Sequence, residues 1–309
     1  MIDVAMVTYN QDKYIALAIE SVLMQKTNFP FRLVIGEDCS TDNTRLICLE
    51  YATKFPDKIK LLSNNTNLGL VKNYQSVFKE CTAKYLAILE GDDYWTDPHK
   101  LQKQYDILEK NNIIGLTYAN YSTLTDGKLT NFVFPPHAKL QGRIYDELIT
   151  GNYIGPLTVC LRKSLVDVYV DFENMINENY LTIDYVIWLE LAQHSDFVYL
   201  DEPVAVYRKE KGSVSIPKEF EKFEKFTETI FEILKYFAHK YPARQELLSV
   251  TFNALYYDLM LKSIHYKAYD KVNYYNALCK PQGLIQHIRY YAAKYPVTIQ
   301  MGKFLKFFN

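Results

Sequence analysis

Residues 85–98 read YLAILEGDDYWTDP, and the order of residue types in this stretch decides the fold. Tyr85 to Leu89 are apolar without alternation, the pattern of a strand buried on both faces of a sheet. The chain then meets three acids within four positions, Glu90, Asp92 and Asp93. Gly91 permits a turn among them, and Asp97 followed by Pro98 offers an N-cap and first helical residue for a helix carrying Leu101, Tyr105 and Leu108. A buried strand that ends in acids and passes into a helix is one unit of a parallel sheet.

The same unit repeats upstream. Residues 2–8 (IDVAMVT), 31–36 (FRLVIG) and 59–62 (IKLL) are short apolar runs. Between them Ile15, Ile19, Val22 and Leu23, and later Leu70, Tyr74, Val77, Phe78 and Cys81, recur at helical spacing. The alternation predicts an α/β sandwich with a mostly parallel central sheet covered on both faces. Functional residues in such a sheet gather at the carboxyl ends of strands, where loop amides and helix N-termini converge. The candidates are Thr8, Tyr9 and Asn10, then Glu37 and Asp38, then residues 64–69, then Glu90 to Asp93.

From about residue 120 to 200 the pattern is irregular, with turn signals at Asp126-Gly127, Pro135-Pro136, Gly151-Asn152 and Gly155-Pro156. A helical pattern resumes at 182–193 (TIDYVIWLELAQ), and 197–200 (FVYL) reads as a strand. Beyond Gly212 Lys, Glu, Tyr and Phe dominate, with few turn residues until Pro242, so a helical C-terminal region is expected.

Composition narrows the function. The chain has 309 residues, 49% of them hydrophobic, and can bury a large core. A net charge of -1 provides no basic field for bulk nucleic-acid binding. The five cysteines, at 39, 48, 81, 160 and 279, are odd in number and form no C-x-x-C pair, which argues against a zinc site or disulfide framework and for a reducing cytoplasm. The N-terminus lacks the features of a signal peptide, and no stretch offers about 18 uninterrupted apolar residues. The final MGKFLKFFN mixes lysines with apolar residues, so it could meet a membrane surface or dock on its own protein.

Carboxylates crowded at one strand end repel each other and call for a cation. Oxygen ligands suit magnesium or manganese, which commonly bridge to phosphates. The alternative is that Asp92 and Asp93 only cap a turn, and a cap is the reading for Asp97. In GEDCSTDNT, residues 36–44, Glu37 and Asp38 could accept hydrogen bonds from a base or ribose, or belong to ordinary loop chemistry. In NNTNLGLVKNYQ, residues 64–75, Lys72 could meet a phosphate or simply be solvated.

The opening strand with Thr8-Tyr9-Asn10, then SVLMQ, EDCSTDNT, NLGLVKN and LEGDDYWTDPHKL, keeps the motif order of a known group. In this the chain resembles the family-2 glycosyltransferases, with their glycosyltransferase-A nucleotide-sugar-binding fold. The likeness is strong over residues 1–110 and fainter at 181–215. It implies a catalytic domain over 1–215, with a nucleotide-sugar-binding half at 1–120 and an acceptor-facing half at 121–215, followed by a helical region at 216–309. By the same resemblance Thr8 and Tyr9, with Asn10, line the nucleotide, Asp38 holds the base, and Glu37, Asn67 and Lys72 join the donor site. Asp92 meets the ribose, Asp93 holds manganese or magnesium at the diphosphate, and Glu90 supports from behind. Asp184 matches the family's catalytic base, and it also opens an apolar stripe with Trp188 and Leu191. In YRKEKGSVS, residues 207–215, Glu210 stands where the family often has histidine, a departure that Arg208 and Lys209 could compensate.

The implied partners are a nucleotide-diphospho-sugar donor and a glycan or lipid-linked glycan acceptor. The implied setting is cytoplasmic, at the inner face of the membrane if the C-terminus attaches there, with a homodimer as one use of the C-terminal region. A nicotinamide-dependent oxidoreductase would need a glycine-rich first turn, whereas VTYNQDKY contains no glycine. A nucleotidyltransferase or phosphatase would use the acids but not the other motifs. A binding or scaffold protein that has lost turnover is the competing class, which donor hydrolysis with manganese would separate.

Overall fold

The computed structural model describes residues 1–135, 138–210, 212, 217–241, 245–281 and 286. It opens with the alternation expected from sequence: β1 (Ile2–Thr8), α1 (Ile15–Leu23), β2 (Phe31–Glu37), α2 (Thr44–Lys54), β3 (Ile59–Ser63), α3 (Leu70–Glu80) and β4 (Tyr85–Ile88). Every residue of β1 and β4 is buried, because helices cover both faces of the sheet there. The four strands pair in parallel in the order β3-β2-β1-β4, with Ile2 opposite both Phe31 and Tyr85. This register brings Thr8 level with Glu37 and Glu37 level with Ser63, so the candidate loops leave from one edge.

Close approach of the layers fixes that edge. A Cβ on Gly36 would lie 2.4 Å from Asn73 Oδ1, so the glycine lets α3 press onto β2, where Asn73 Nδ2 donates to the Gly36 carbonyl at 2.9 Å. The one acid inside β1, Asp3, is satisfied by Arg32 at 3.1 Å and by the Thr82 and Ala83 amides.

The next elements are β5 (Tyr94–Trp95), α4 (Lys100–Lys110), β6 (Ile114–Thr125), β7 (Lys128–Asn131), α5 (Tyr145–Thr150), β8 (Cys160–Arg162), α6 (Lys163–Tyr169), α7 (Phe172–Asn177), α8 (Asp184–His194) and β9 (Asp196–Arg208). They extend the sheet as β4-β8-β6-β9-β5, with β7 paired on β6. β8 runs antiparallel to β4 and β6, β5 antiparallel to β9, β7 antiparallel to β6, and β9 parallel to β6, so among the described residues four strand pairs are parallel and four antiparallel, the parallel ones having on the whole the longer registers.

Three local expectations are corrected here. The region from 120 onward is not irregular throughout: β6 is twelve residues long and carries polar residues such as Thr117, which is fully buried and donates to the Cys160 carbonyl. Such satisfied hydroxyls conceal a strand from a reading based on apolar runs. Likewise FVYL is only the start of the thirteen-residue β9, which continues past a register shift between Ala119/Leu200 and Asn120/Pro203. The helix after the acids begins at Lys100, two residues later than expected. Asp97 closes a turn ahead of it, accepting from the His99 amide at 2.8 Å and from Lys103.

The chain divides into two compact units, residues 1–148 with 152–209, and residues 149–151 with 210–309. The second contains α9 (Phe220–Lys240), α10 (Gln245–His265) and α11 (Tyr269–Leu278), packed around Phe220, Phe231, Leu259, Met260 and Tyr275. Among the described residues no helix is long and apolar enough to cross a membrane. The MGKFLKFFN tail, and residues 211 and 213–215 of the YRKEKGSVS segment, lie outside the described residues.

Candidate active site

Three acids converge where β4 ends. One carboxylate oxygen from each of Glu90, Asp92 and Asp93 lies within 4.8 Å of the others. The turn that gathers them is tied to β1, the Gly91 amide donating to the Val7 carbonyl at 3.0 Å. Gly91 serves close approach more than backbone freedom: a Cβ there would lie 2.5 Å from Gln11 Oε1 and 2.7 Å from Thr8 Oγ1. Thr8 is buried and its hydroxyl donates to Gln11 Oε1 at 2.8 Å, so it acts as the seat of the turn.

Asp93 is fully buried. Its Oδ1 accepts from the Arg208 amide at 2.8 Å, while its Oδ2 is buried and has no hydrogen-bond partner among the described residues. Burial, aggravated by the charges of Asp92 and Glu90, raises the Asp93 pKa well above the usual carboxylate range. Burial first, then Asp92 and Asp184, pushes Glu90 up to about 8, opposed by the Tyr74 hydroxyl, which donates to Glu90 at 2.9 Å. A buried oxygen without a donor, inside a group of oxygen ligands that repel one another, fits a hard divalent cation such as magnesium or manganese.

Asp184 stands at the first turn of α8, half-buried. Its Oδ2 accepts from Asn152 Nδ2 at 2.8 Å and its Oδ1 from the Thr182 hydroxyl. Its charge helps to raise both Glu90 and the buried Tyr74, so the acid at α8 and the acids at β4 share one electrostatic site. Neither Asn152 nor Thr182 stands out in the sequence. Asn152 looks like half of a Gly-Asn turn, and its partner is 32 residues away.

The second strand end is built differently. Glu37 is fully buried, with Oε1 accepting from the Ser40 amide at 2.7 Å and Oε2 from Arg45 Nε. Both oxygens are thus engaged within the loop, the loop chemistry that the sequence offered beside a donor contact. Asp38 accepts from Leu68 N at 2.8 Å, Gly69 N at 2.9 Å and Asn64 Nδ2 at 3.1 Å, while Asn67 Nδ2 donates to the Asp38 carbonyl. Asn10, at φ 53°, accepts from the Thr41 amide and hydroxyl and so joins the same web. Tyr9 is 46% exposed, and Lys72 is an exposed side chain on α3. Glu210 belongs to the second compact unit.

The family model described as glycosyl transferase family 2 matches residues 3–168. An uncharacterised protein of Mycobacterium tuberculosis is 32% identical over 203 residues, which cover 66% of this chain and 57% of that protein. This chain thus matches little more than half the length of the mycobacterial relatives. The Escherichia coli UDP-Glc:alpha-D-GlcNAc-diphosphoundecaprenol beta-1,3-glucosyltransferase WfgD is 29% identical over 71% of this chain and 81% of its own. Among solved structures, S. aureus TarS 1-349 in complex with UDP aligns with TM-score 0.57 and 19% identity, covering 99% of this chain and 85% of that one. A match over more than half of the sequence, on a sheet shared with a solved relative, makes the chain a member of glycosyl transferase family 2 with the glycosyltransferase-A fold.

Proposed function

We propose that the protein is an inverting, metal-dependent glycosyltransferase that moves a sugar from a nucleotide-diphospho-sugar to a hydroxyl acceptor during bacterial surface polysaccharide synthesis. The observation that carries this reading is the Glu90–Asp92–Asp93 cluster with the unpartnered Asp93 Oδ2, in which Glu90 also feels the charge of Asp184. Asp93 holds the cation, with Glu90 in support and Asp92 toward the ribose. A manganese or magnesium ion bound there supplies Lewis-acid stabilisation of the leaving diphosphate.

Asp184 takes the proton of the acceptor hydroxyl as its oxygen attacks the anomeric carbon. The carbon–oxygen bond to the diphosphate breaks, and the departing oxygen keeps the electron pair, so a single displacement inverts the centre. Asn152 and Thr182 hold Asp184 in the orientation this requires. Thr8, Tyr9, Asn10, Asp38 and Asn67 form the nucleoside side of the donor site, Glu37 braces it, and Lys72 supplies positive charge toward phosphate. WfgD, whose name specifies a diphosphoundecaprenol-linked acceptor, supports a lipid-linked glycan as the acceptor class. Such an acceptor agrees with a cytoplasmic protein working at the inner face of the membrane.

The test is a thermal-shift screen of UDP-, GDP- and dTDP-sugars with and without manganese, followed by nucleoside diphosphate release with the best donor. Stabilisation that requires manganese, together with manganese-dependent release, is the expected result. Absence of both across the donor set defeats the reading.

A further inference from the structure

Arg208, at the end of β9, makes an unusual set of contacts with the acidic turn, more than 110 residues away in sequence. Its backbone amide donates to Asp93 Oδ1 at 2.8 Å, and its guanidinium NH1 donates to the main-chain carbonyl of Asp92. The guanidinium carbon lies 4.8 Å from the Tyr14 ring centroid and 4.6 Å from that of Tyr94, so the group is held over two aromatic rings. A planar cation seated in this way has little freedom to leave the carbonyl it bonds. One residue thus fixes a side-chain oxygen of Asp93 and the backbone of Asp92. The oxygen it leaves unbonded is Asp93 Oδ2, the buried atom that has no partner among the described residues.

We infer that Arg208 is a positioning residue for divalent-cation binding: held by Tyr14 and Tyr94, it locks the Asp92–Asp93 turn so that Asp93 Oδ2 is presented to the ion. The inference rests on the metal reading above and adds to it a residue that does not touch the metal. Its sign is distinctive. By Coulomb's law alone a nearby cation repels a second one, so removing Arg208 should tighten metal binding. If Arg208 acts by holding the turn, removing it weakens binding, in line with the about 10–100-fold loss typical when outer-shell partners of metal ligands are removed.

The experiment titrates Mn2+ alone, and Mn2+ with UDP, into the full chain, following free Mn2+ by electron paramagnetic resonance. It compares wild type with Arg208→Lys, Arg208→Met and Tyr14→Leu/Tyr94→Leu, each checked for folding by circular dichroism and melting. The inference expects Mn2+ affinity to fall by at least about tenfold in Arg208→Met and less in Arg208→Lys, with the double tyrosine variant weakened although its arginine is intact. Wild-type affinity or tighter binding in a folded Arg208→Met or Arg208→Lys protein overturns it. Should Arg208→Met not fold, Arg208→Lys and the tyrosine pair decide by the same criterion. A wild-type protein that binds no Mn2+, with or without UDP, refutes the metal reading and the inference together, whereas equal binding by wild type and variants refutes the inference alone.

Discussion

Two strand ends of the same sheet handle buried acids in opposite ways. After β2, the Glu37 oxygens and both Asp38 oxygens accept hydrogen bonds, from Ser40, Arg45, Asn64, Leu68 and Gly69. After β4, Asp93 is equally buried, yet one of its oxygens has no donor and two other acids stand beside it. The first arrangement is complete in itself, so it calls for no cation. The second is incomplete, and other parts of the chain are used to hold those acids. A buried carboxylate oxygen without a donor costs free energy, and a bound cation is the simple way to recover it.

The sharpest break in this comparison is expected at Asp93. Asp93→Asn should lower transfer by roughly 100–1,000-fold, because charge stabilisation at the leaving group is lost, while its melting temperature holds or rises because a repulsive buried acid is gone. Steady-state kinetics and thermal melting read both arms; retained activity would show that Asp93 is not the metal ligand. Asp184→Asn is next. It should cost kcat about 100-fold and leave Mn2+ and nucleotide affinity unchanged, a split that titration and kinetics together detect.

At the other strand end the effect should move from activity to stability. Glu37→Ala leaves Arg45 without its carboxylate, and since the Arg45 side chain is 32% exposed the cost should be about 2–3 kcal/mol, below the 3–5 kcal/mol of a fully buried pair. Denaturant unfolding measures it, and a variant as stable as wild type would mean that Glu37 does not brace the loop.

The smallest effect concerns Lys100, fully buried, with Nζ 2.7 Å from Gln104 Oε1 and 4.3 Å from the Trp95 ring centroid. Burial lowers its pKa from 10.5 to about 7. Since the unfolded chain holds the proton more tightly, the destabilisation is full below about pH 7 and is relieved as pH rises toward 10.5. Relative to Lys100→Met, wild type should therefore gain stability between pH 7 and 9. A pH-independent difference in melting temperature would contradict the account.

The half of the sheet with apolar strands was legible in the sequence because β4 needs nothing but burial and β1 is broken inside only by Asp3, so burial still writes apolar runs there. β6 was not, because residues such as Thr117 satisfy their polar atoms inside the core through bonds to distant carbonyls. The acids of the site were visible as charge at a strand end, but their states were not. Nothing near Glu37 in sequence distinguishes it from Asp93, since the difference lies in Arg45 on one side and the tip of β9 on the other. From sequence Glu37 reads equally as a donor contact or as loop chemistry, and only the fold shows its oxygens taken up by Ser40 and Arg45. Asp97 was expected as the N-cap, but that position falls to His99, and Asp97 instead closes a turn three residues before the helix starts.

The central claim is that Asp93 Oδ2 is reserved for a cation, and the most direct measurement is an anomalous difference map from crystals grown with Mn2+ and UDP. The account predicts a single strong peak bonded to Asp93 Oδ2 beside Glu90 and Asp92. A peak bonded elsewhere, or bound UDP with no peak at the end of β4, would contradict it.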